Sequence, residues 1–220
     1  MTPVTHTAWP LWDLRLTIDD LVLRPTTEAD LPAIAALLPA DVELDPALPG
    51  FPGGDLAADR GARIYQGYWR GLASGRPGSW NQLFIVERAG FILGEQTLEA
   101  KDFATLRTVE TASWLVTEAR GVGIGKLMRL AVLALAFEGL GALVAETEAW
   151  HHNAASLGVS RSVGYLPNGV YRHSTATGAD DMVRMRMPVE RWRELHTGAP
   201  VEISGLQPCL PYLLGEGPPA

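Results

Sequence analysis

Six residues, Arg120-Gly121-Val122-Gly123-Ile124-Gly125, stand between an apolar strand-like run, Ser113 to Val116, and a long apolar run that starts just after them. Glycine at such a junction lets the backbone close on a ligand. The amides and dipole of a helix start favour an anion, so the loop reads as a phosphate cradle. The side chains that offer themselves as proton acceptors are Glu95, Glu99, Asp102, Glu110, Glu146, Glu148, His151 and His152.

Spacing separates three kinds of phosphate loop. A P-loop needs glycine, four residues, then Gly-Lys-Ser/Thr, but here Arg120 holds the first position and Leu127 follows Lys126. The dinucleotide fingerprint needs a further glycine where the chain has Lys126 or Met128. The pattern Arg/Gln-x-x-Gly-x-Gly/Ala between a strand and a helix fits without a gap. Successive amides of such a loop hold a pyrophosphate without a metal.

This loop resembles the acyl-coenzyme-A-binding motif of the GNAT superfamily of N-acyltransferases. The resemblance runs from about Leu21 to Val189. It includes "NAASLGVSRSVGY", where Asn153, Ser156, Gly164 and Tyr165 match the family's Asn-x-x-Ser/Ala helix and its Gly-Phe/Tyr end. "SWLV" and Asn-x-x-Ser are similar to the RimJ/RimL-like members, and the ends of the chain resemble an actinobacterial branch for which succinyl-CoA has been proposed as donor.

The resemblance implies an acetyl- or succinyl-CoA donor. Its phosphates would be held by Arg120, Gly121, Val122, Gly123, Ile124, Gly125 and Lys126, with Arg129 also in reach. Backbone groups of Trp114, Leu115 and Val116 would meet the pantetheine, and Asn153, Ser156 and Ser160 would close the donor site. Ser160 stands where many members carry the tyrosine that protonates the thiolate, so Ser156 is expected to hydrogen-bond the sulfur. Glu110 and Asp102 are the bases expected beside it. A succinyl carboxylate would need Arg63, Arg70, Arg107 or Arg172. The missing tyrosine also motivates an alternative, a GNAT-fold module that binds acyl-CoA as a sensor and transfers nothing.

The elements that must position these residues follow from periodicity and turn residues. "LVLRP" is a strand, and Thr27 with Asp30 caps a helix carrying Leu31, Ile34, Leu37 and Leu38. Residues 40–54 read as a loop. The next stretch is an amphipathic helix with Ile64, Tyr65, Tyr68, Trp69 and Leu72 on one side. Two strands turn about Arg88 to Gly90, and a polar connection, Lys101 to Thr108, leads to the "SWLV" strand. After the glycine loop come a helix of about 15 residues, the strand "ALVAETEAW", the Asn153 helix, a hairpin and a last helical turn. The order predicts an α/β (α+β) fold: a mixed, mostly antiparallel sheet with one parallel, splayed strand pair flanked by helices. Residues 1–20 read as an extension, 21–190 as the catalytic domain and 191–220 as a helical turn and tail.

Bulk composition narrows the partners. The 220 residues are 47% hydrophobic with a formal charge of −7, which disfavours nucleic acid and anionic membranes. One cysteine, Cys209, gives neither a disulfide nor a metal cluster, and no secretory signal is visible, so a cytoplasmic protein is expected. No metal is expected. The partners read as a small-molecule or protein N-terminal amine, and the apolar helix surface and tryptophan-rich amino-terminus allow a homodimer.

Overall fold

The computed structural model describes residues 6–42, 44, 48, 53–175, 178–196, 198 and 200–215. Most of the 40–54 loop lies outside them. Nine strands form one sheet: β1 (Arg15–Ile18), β2 (Leu21–Pro25), β3 (Trp80–Arg88), β4 (Phe91–Ala100), β5 (Thr108–Leu115), β6 (Val144–Trp150), β7 (Leu166–Thr175), β8 (Gly178–Pro188) and β9 (Val201–Ser204). Their spatial order is β7-β8-β6-β5-β4-β3-β2-β1-β9, and only β5 and β6 run parallel. The mixed sheet is the one predicted.

Local chemistry explains the connections. Ala89 and Gly90 both adopt positive φ, 51° and 81°, the turn that suits the twist of a two-residue hairpin between β3 and β4. Thr27 caps the start of α1 (Leu31–Leu37) through a 3-10 turn, its amide donating to Asp30 Oδ2 at 2.8 Å. Arg24 grips the same carboxylate through two nitrogens, at 2.9 and 2.8 Å, so β2 and α1 are locked at a fixed angle.

The alternation of β3 divides the core. Phe84 and Val86 point into a large cluster with α4 (Ile124–Ala134), while Ile85 points to the opposite face against Leu31, Ile34 and Tyr68 of α1 and α2 (Leu56–Ser74). Helix α4 buries Ile124, Met128, Ala131, Val132, Leu133 and Ala134. It ends in a widened turn whose Leu140 amide reaches back five residues to Leu135 O, 2.9 Å. Against the other end of α4 lies α5 (Ala154–Ser162).

Five expectations change. Residues 1–20 contribute β1, which pairs with β2 and with β9, so this segment continues the sheet. The Pro/Gly-rich tail after α6 (Val189–His196) carries β9 and α7 (Leu210–Leu214), buries Cys209 and Leu213 completely, and accepts the Trp80 indole N–H at Leu213 O, 2.8 Å. The polar connection after β4 contains α3 (Phe103–Leu106), whose Phe103 is fully buried. The apolar helix surface invoked for a homodimer is consumed within the chain, because the α4 residues that form it are core. On the long α2 helix Tyr68 is buried, but Trp69 is 47% exposed, so the predicted apolar stripe is narrower than its sequence. Among the described residues no helix is long and apolar enough to cross a membrane.

Candidate active site

The β5–β6 pair opens into a V. Its last rung is Thr111 opposite Thr147, yet β5 continues to Leu115 and β6 to Trp150. Each arm is held from outside, β5 by β4 down to Gly94 opposite Leu115, and β6 by β8 down to Met182 opposite Trp150. A parallel pair that parts while both strands stay paired elsewhere leaves two facing backbone edges free for a ligand.

The glycine loop sits at the open end of this V. Gly121 and Gly123 have φ of 77° and 93°, a left-handed backbone that glycine adopts without strain, and no atom lies within 4 Å of the Cβ positions they lack. Gly125 has a different reason: a Cβ there would stand 3.3 Å from Val159 Cγ2 and 3.7 Å from Leu115 Cδ1, so it lets α4 pack closely on α5 and β5. Among the described residues the amides of Gly121, Val122, Gly123, Ile124 and Gly125 donate to no protein acceptor, and helical bonding resumes with Lys126 and Leu127 donating to Gly123 O. Five free donors at a helix start with open space above them fit a pyrophosphate. Lys126 is exposed in the first turn beside them.

Several residues predicted at the donor site do other work. Arg120 donates Nε to Leu115 O at 3.0 Å and pairs with Asp41 through both terminal nitrogens, fastening the loop to β5 and to the chain after α1. The Val116 amide is engaged with Leu93 O at 2.8 Å and its side chain is core, so neither it nor the Leu115 carbonyl is free for pantetheine. Asn153 caps α5 by accepting the Ser156 amide at 3.0 Å. Ser156 stands in that first turn with no hydroxyl partner among the described residues. Ser160 is 1% exposed and its hydroxyl bonds back to Ser156 O at 3.1 Å, which removes it from a ligand-facing role.

Arg129, expected near a phosphate, is instead 2% exposed and turned under the V. Its Nη1 donates to Thr147 Oγ1 and its Nη2 to Ser113 Oγ, both at 3.3 Å, and its guanidinium lies 5.9 Å from the Tyr165 ring centre. Tyr165 Oη in turn meets Thr111 Oγ1 at 3.2 Å. The partners are all neutral, Nε has none, and Gln96, opposite Ser113 on β4, keeps Oε1 unpaired in the same interior.

The opposite face of the sheet carries the acids. A cleft of about 860 Å³ lies between this face and α1 and α2, lined by Leu31, Ile64, Tyr68, Arg63 and Arg70 above and by Glu95, Glu99, Glu110 and Glu146 below. Glu99, Glu110 and Glu146 stand side by side across three strands. Burial pushes the Glu99 and Glu110 carboxyls above the usual carboxylate range, and the neighbouring carboxylates add to it, Glu110 and Glu148 on Glu99, Glu148 and Glu146 on Glu110. Arg186 Nε stands 3.8 Å from Glu146 Oε1. Glu95 is raised by burial although the Trp114 indole and Thr26 hydroxyl donate to it. Glu110 directly precedes Thr111, so it marks the vertex of the V on the cleft side.

The remaining candidates are not brought there. Asp102 occupies a left-handed turn, φ 48°, with its carboxylate accepting the Thr105 hydroxyl at 3.1 Å, and it does not line the cleft; its position at the start of α3 accounts for it. His151 and His152 face Asp180 of the hairpin at 3.2 and 3.3 Å, away from the cleft. Glu148 accepts Tyr171 Oη at 2.9 Å and stands near Arg184. Arg107 donates to the carbonyls of Leu140 and Gly141, and Arg172 to Ala179 O, so neither faces a substrate. Sequence reasoning missed Ser113 and the burial of Arg129. The available signal was an arginine inside an otherwise apolar helix stretch.

A family model, the acetyltransferase (GNAT) domain, matches residues 20–166. Among solved structures, RimJ of Mycobacterium smegmatis in complex with CoA-disulfide is 20% identical with a TM-score of 0.66, over 82% of this chain and 90% of that one. A chimera of spermidine N-acetyltransferase SpeG from Vibrio cholerae and hSSAT is 16% identical with a TM-score of 0.64, over 79% and 98%. RimL, a ribosomal L7/L12 alpha-N-protein acetyltransferase in complex with coenzyme A, is 14% identical with a TM-score of 0.61, over 79% and 97%. At these identities the likeness is one of fold.

Proposed function

Because the chain belongs to the GNAT acetyltransferase family, we propose that it transfers an acetyl group from acetyl-CoA to a primary amine by direct attack in a ternary complex. The observation that carries this reading is the run of five unpaired amides, 121–125, at the open end of the β5–β6 V. They take the pyrophosphate of the donor, with Lys126 beside them. The pantetheine then follows the free strand edges toward Thr111 and Thr147. Ser156, across the groove in the first turn of α5, presents its hydroxyl to the donor arm.

The amine enters from the cleft on the other face. A cationic acceptor is drawn to the row Glu99, Glu110 and Glu146, and Glu110 at the vertex takes the proton directly or through a water. A carboxyl held above its usual range is a better base for an amine than an ordinary one, because the two proton affinities lie closer. The amine nitrogen bonds to the thioester carbon, the C–S bond breaks, and the sulfur leaves with the electron pair. Arg70 on the cleft wall carries the second reading, a succinyl donor whose carboxylate reaches it; Arg63 also lines the cleft but already binds the Asp59 carboxylate at 2.9 Å and the Leu48 carbonyl.

Calorimetric titration with acetyl-CoA and succinyl-CoA tests the donor. Thiol release on a panel that includes spermidine and peptides with a free α-amine tests the acceptor. Submicromolar to micromolar acetyl-CoA binding with amine-dependent thiol release is expected; no binding of either thioester refutes the reading, and tight binding without release on any amine supports the sensor.

A further inference from the structure

A buried arginine with only neutral partners is unusual, because a cation taken out of water needs a compensating charge or a full set of acceptors. Arg129 has neither: the neutral hydroxyls of Thr147, Ser113 and Tyr165 and the ring of Tyr165 surround it, Nε is unpaired, and apart from burial only Tyr165 influences its electrostatics among the described residues. What surrounds it is also unevenly satisfied. Thr147 accepts from Arg129 and donates its own proton to Thr111 O at 2.8 Å. Ser113 accepts from Arg129, and its proton has no acceptor among the described residues.

Position gives that free proton its meaning. On the α4 side of β5, Ser113 is the first side chain beyond the last rung of the V, and unlike Thr111 and Thr147 it is exposed. We propose that Ser113 is a catalytic residue whose hydroxyl, polarised by the buried Arg129 guanidinium, donates a hydrogen bond to the thioester sulfur as it becomes a thiolate; Arg129 is the positioning residue behind it. This rests on the reading that the V holds acyl-CoA. As the amine nitrogen bonds to the carbonyl carbon and the C–S bond breaks, the electron pair moves to sulfur and Glu110 or water holds the amine's proton. Ser113 shares its proton with the sulfur without giving it up, and the thiolate is protonated from solvent on release. The positive charge without a partner in the ligand-free protein thereby gains a negative one only as the reaction proceeds, which lowers the barrier more than it tightens the ground state. The charged and titratable groups around the sulfur are Arg129 from α4, Tyr165 after α5 and Glu110 on the cleft side.

The experiment uses the full chain and free coenzyme A. The thiolate absorbance of bound CoA is titrated against pH for the wild type, Ser113→Ala, Ser113→Thr, Arg129→Met and Ser156→Ala, with CoA affinity measured by calorimetry and kcat and KM on the best amine. Bound CoA is expected to ionise about one pH unit below free CoA, a tenfold gain in thiolate. Ser113→Ala and Arg129→Met abolish that shift and lower kcat by about ten- to a hundredfold with KM for acetyl-CoA within about twofold. Ser113→Thr restores both, and loss of the shift in Ser156→Ala while Ser113→Ala keeps it overturns the assignment in favour of Ser156. Wild type and Ser113→Ala that bind CoA equally and titrate alike overturn the assignment while leaving the donor site standing. A wild type that binds no CoA overturns the donor site and the assignment together.

Discussion

Replacing Gly123 separates what the loop needs from its backbone and what it needs from its emptiness. At φ 93° an alanine is forced into a left-handed conformation, which costs an L residue roughly 1–2 kcal/mol. The smaller unfolded-state freedom of alanine returns about 0.4–1 kcal/mol. No atom lies within 4 Å of the added methyl, so no clash enlarges the cost. The net is about 1 kcal/mol, or roughly 2–4 °C in melting temperature for a chain of this size. Asparagine tolerates this conformation and is favoured as a helix cap, so Gly123→Asn should melt within about 1 °C of the wild type. Both side chains nevertheless project over the free amides, so both should weaken CoA binding about tenfold or more. Thermal unfolding followed by circular dichroism, with calorimetric CoA affinity on the same samples, reads the two effects separately. Equal melting losses for Ala and Asn, or wild-type affinity in Gly123→Asn, would refute the assignment of open space above this glycine to the ligand.

Other outcomes follow from the same geometry. Gly125→Val should lose stability through the contact with Val159, by about 1–3 kcal/mol in urea unfolding, with no relief from asparagine. Glu110→Gln should lower kcat about a hundredfold and remove the acidic limb of the pH profile, which in the wild type lies above the ordinary carboxylate range. The stability effect has the opposite sign. The folded protein raises this carboxyl, so the charged form costs stability as pH rises through the folded value. Glu110→Gln should therefore melt higher than the wild type near neutrality and equally near pH ~4. Asp41→Ala removes an exposed ion pair and should cost at most about 1 kcal/mol, whereas Arg120→Ala also frees the Leu115 carbonyl and should cost about 1–3 kcal/mol more in chemical denaturation. Trp80→Phe leaves Leu213 O without its donor and should cost about 1–3 kcal/mol by the same measurement.

The central fold was legible because each of its elements announces itself locally: the Thr27 and Asp30 cap, the Ala89-Gly90 turn, and the long apolar run after Gly125. The termini were not, because β1 and β9 have only four residues each, and a strand that short shows only two inward side chains, Leu16 and Ile18 in one case. Their pairing is across the whole length of the chain, which no local pattern encodes. The donor loop could be read from spacing, since φ and openness follow from glycine. The base required the register, which aligns Glu110 with Glu99 and Glu146 from three separate strands. Arg129 was misplaced for a physical reason: an arginine in the second turn of a helix that starts at a phosphate loop is ordinarily solvated, and only the tertiary parting of β5 and β6 supplies hydroxyls deep enough to receive it.

The docked C-terminal segment has a practical side. Cys209 is the only cysteine, it is fully buried, its thiol donates to Gly205 O at 3.2 Å, and burial pushes its pKa up to about 11. A thiol-reactive chromogen added to the folded protein therefore counts released coenzyme A with almost no background from the polypeptide. The same reagent, applied without substrate, becomes a clock: its slow uptake marks each occasion on which the last strand and helix lift away from the first strand of the sheet.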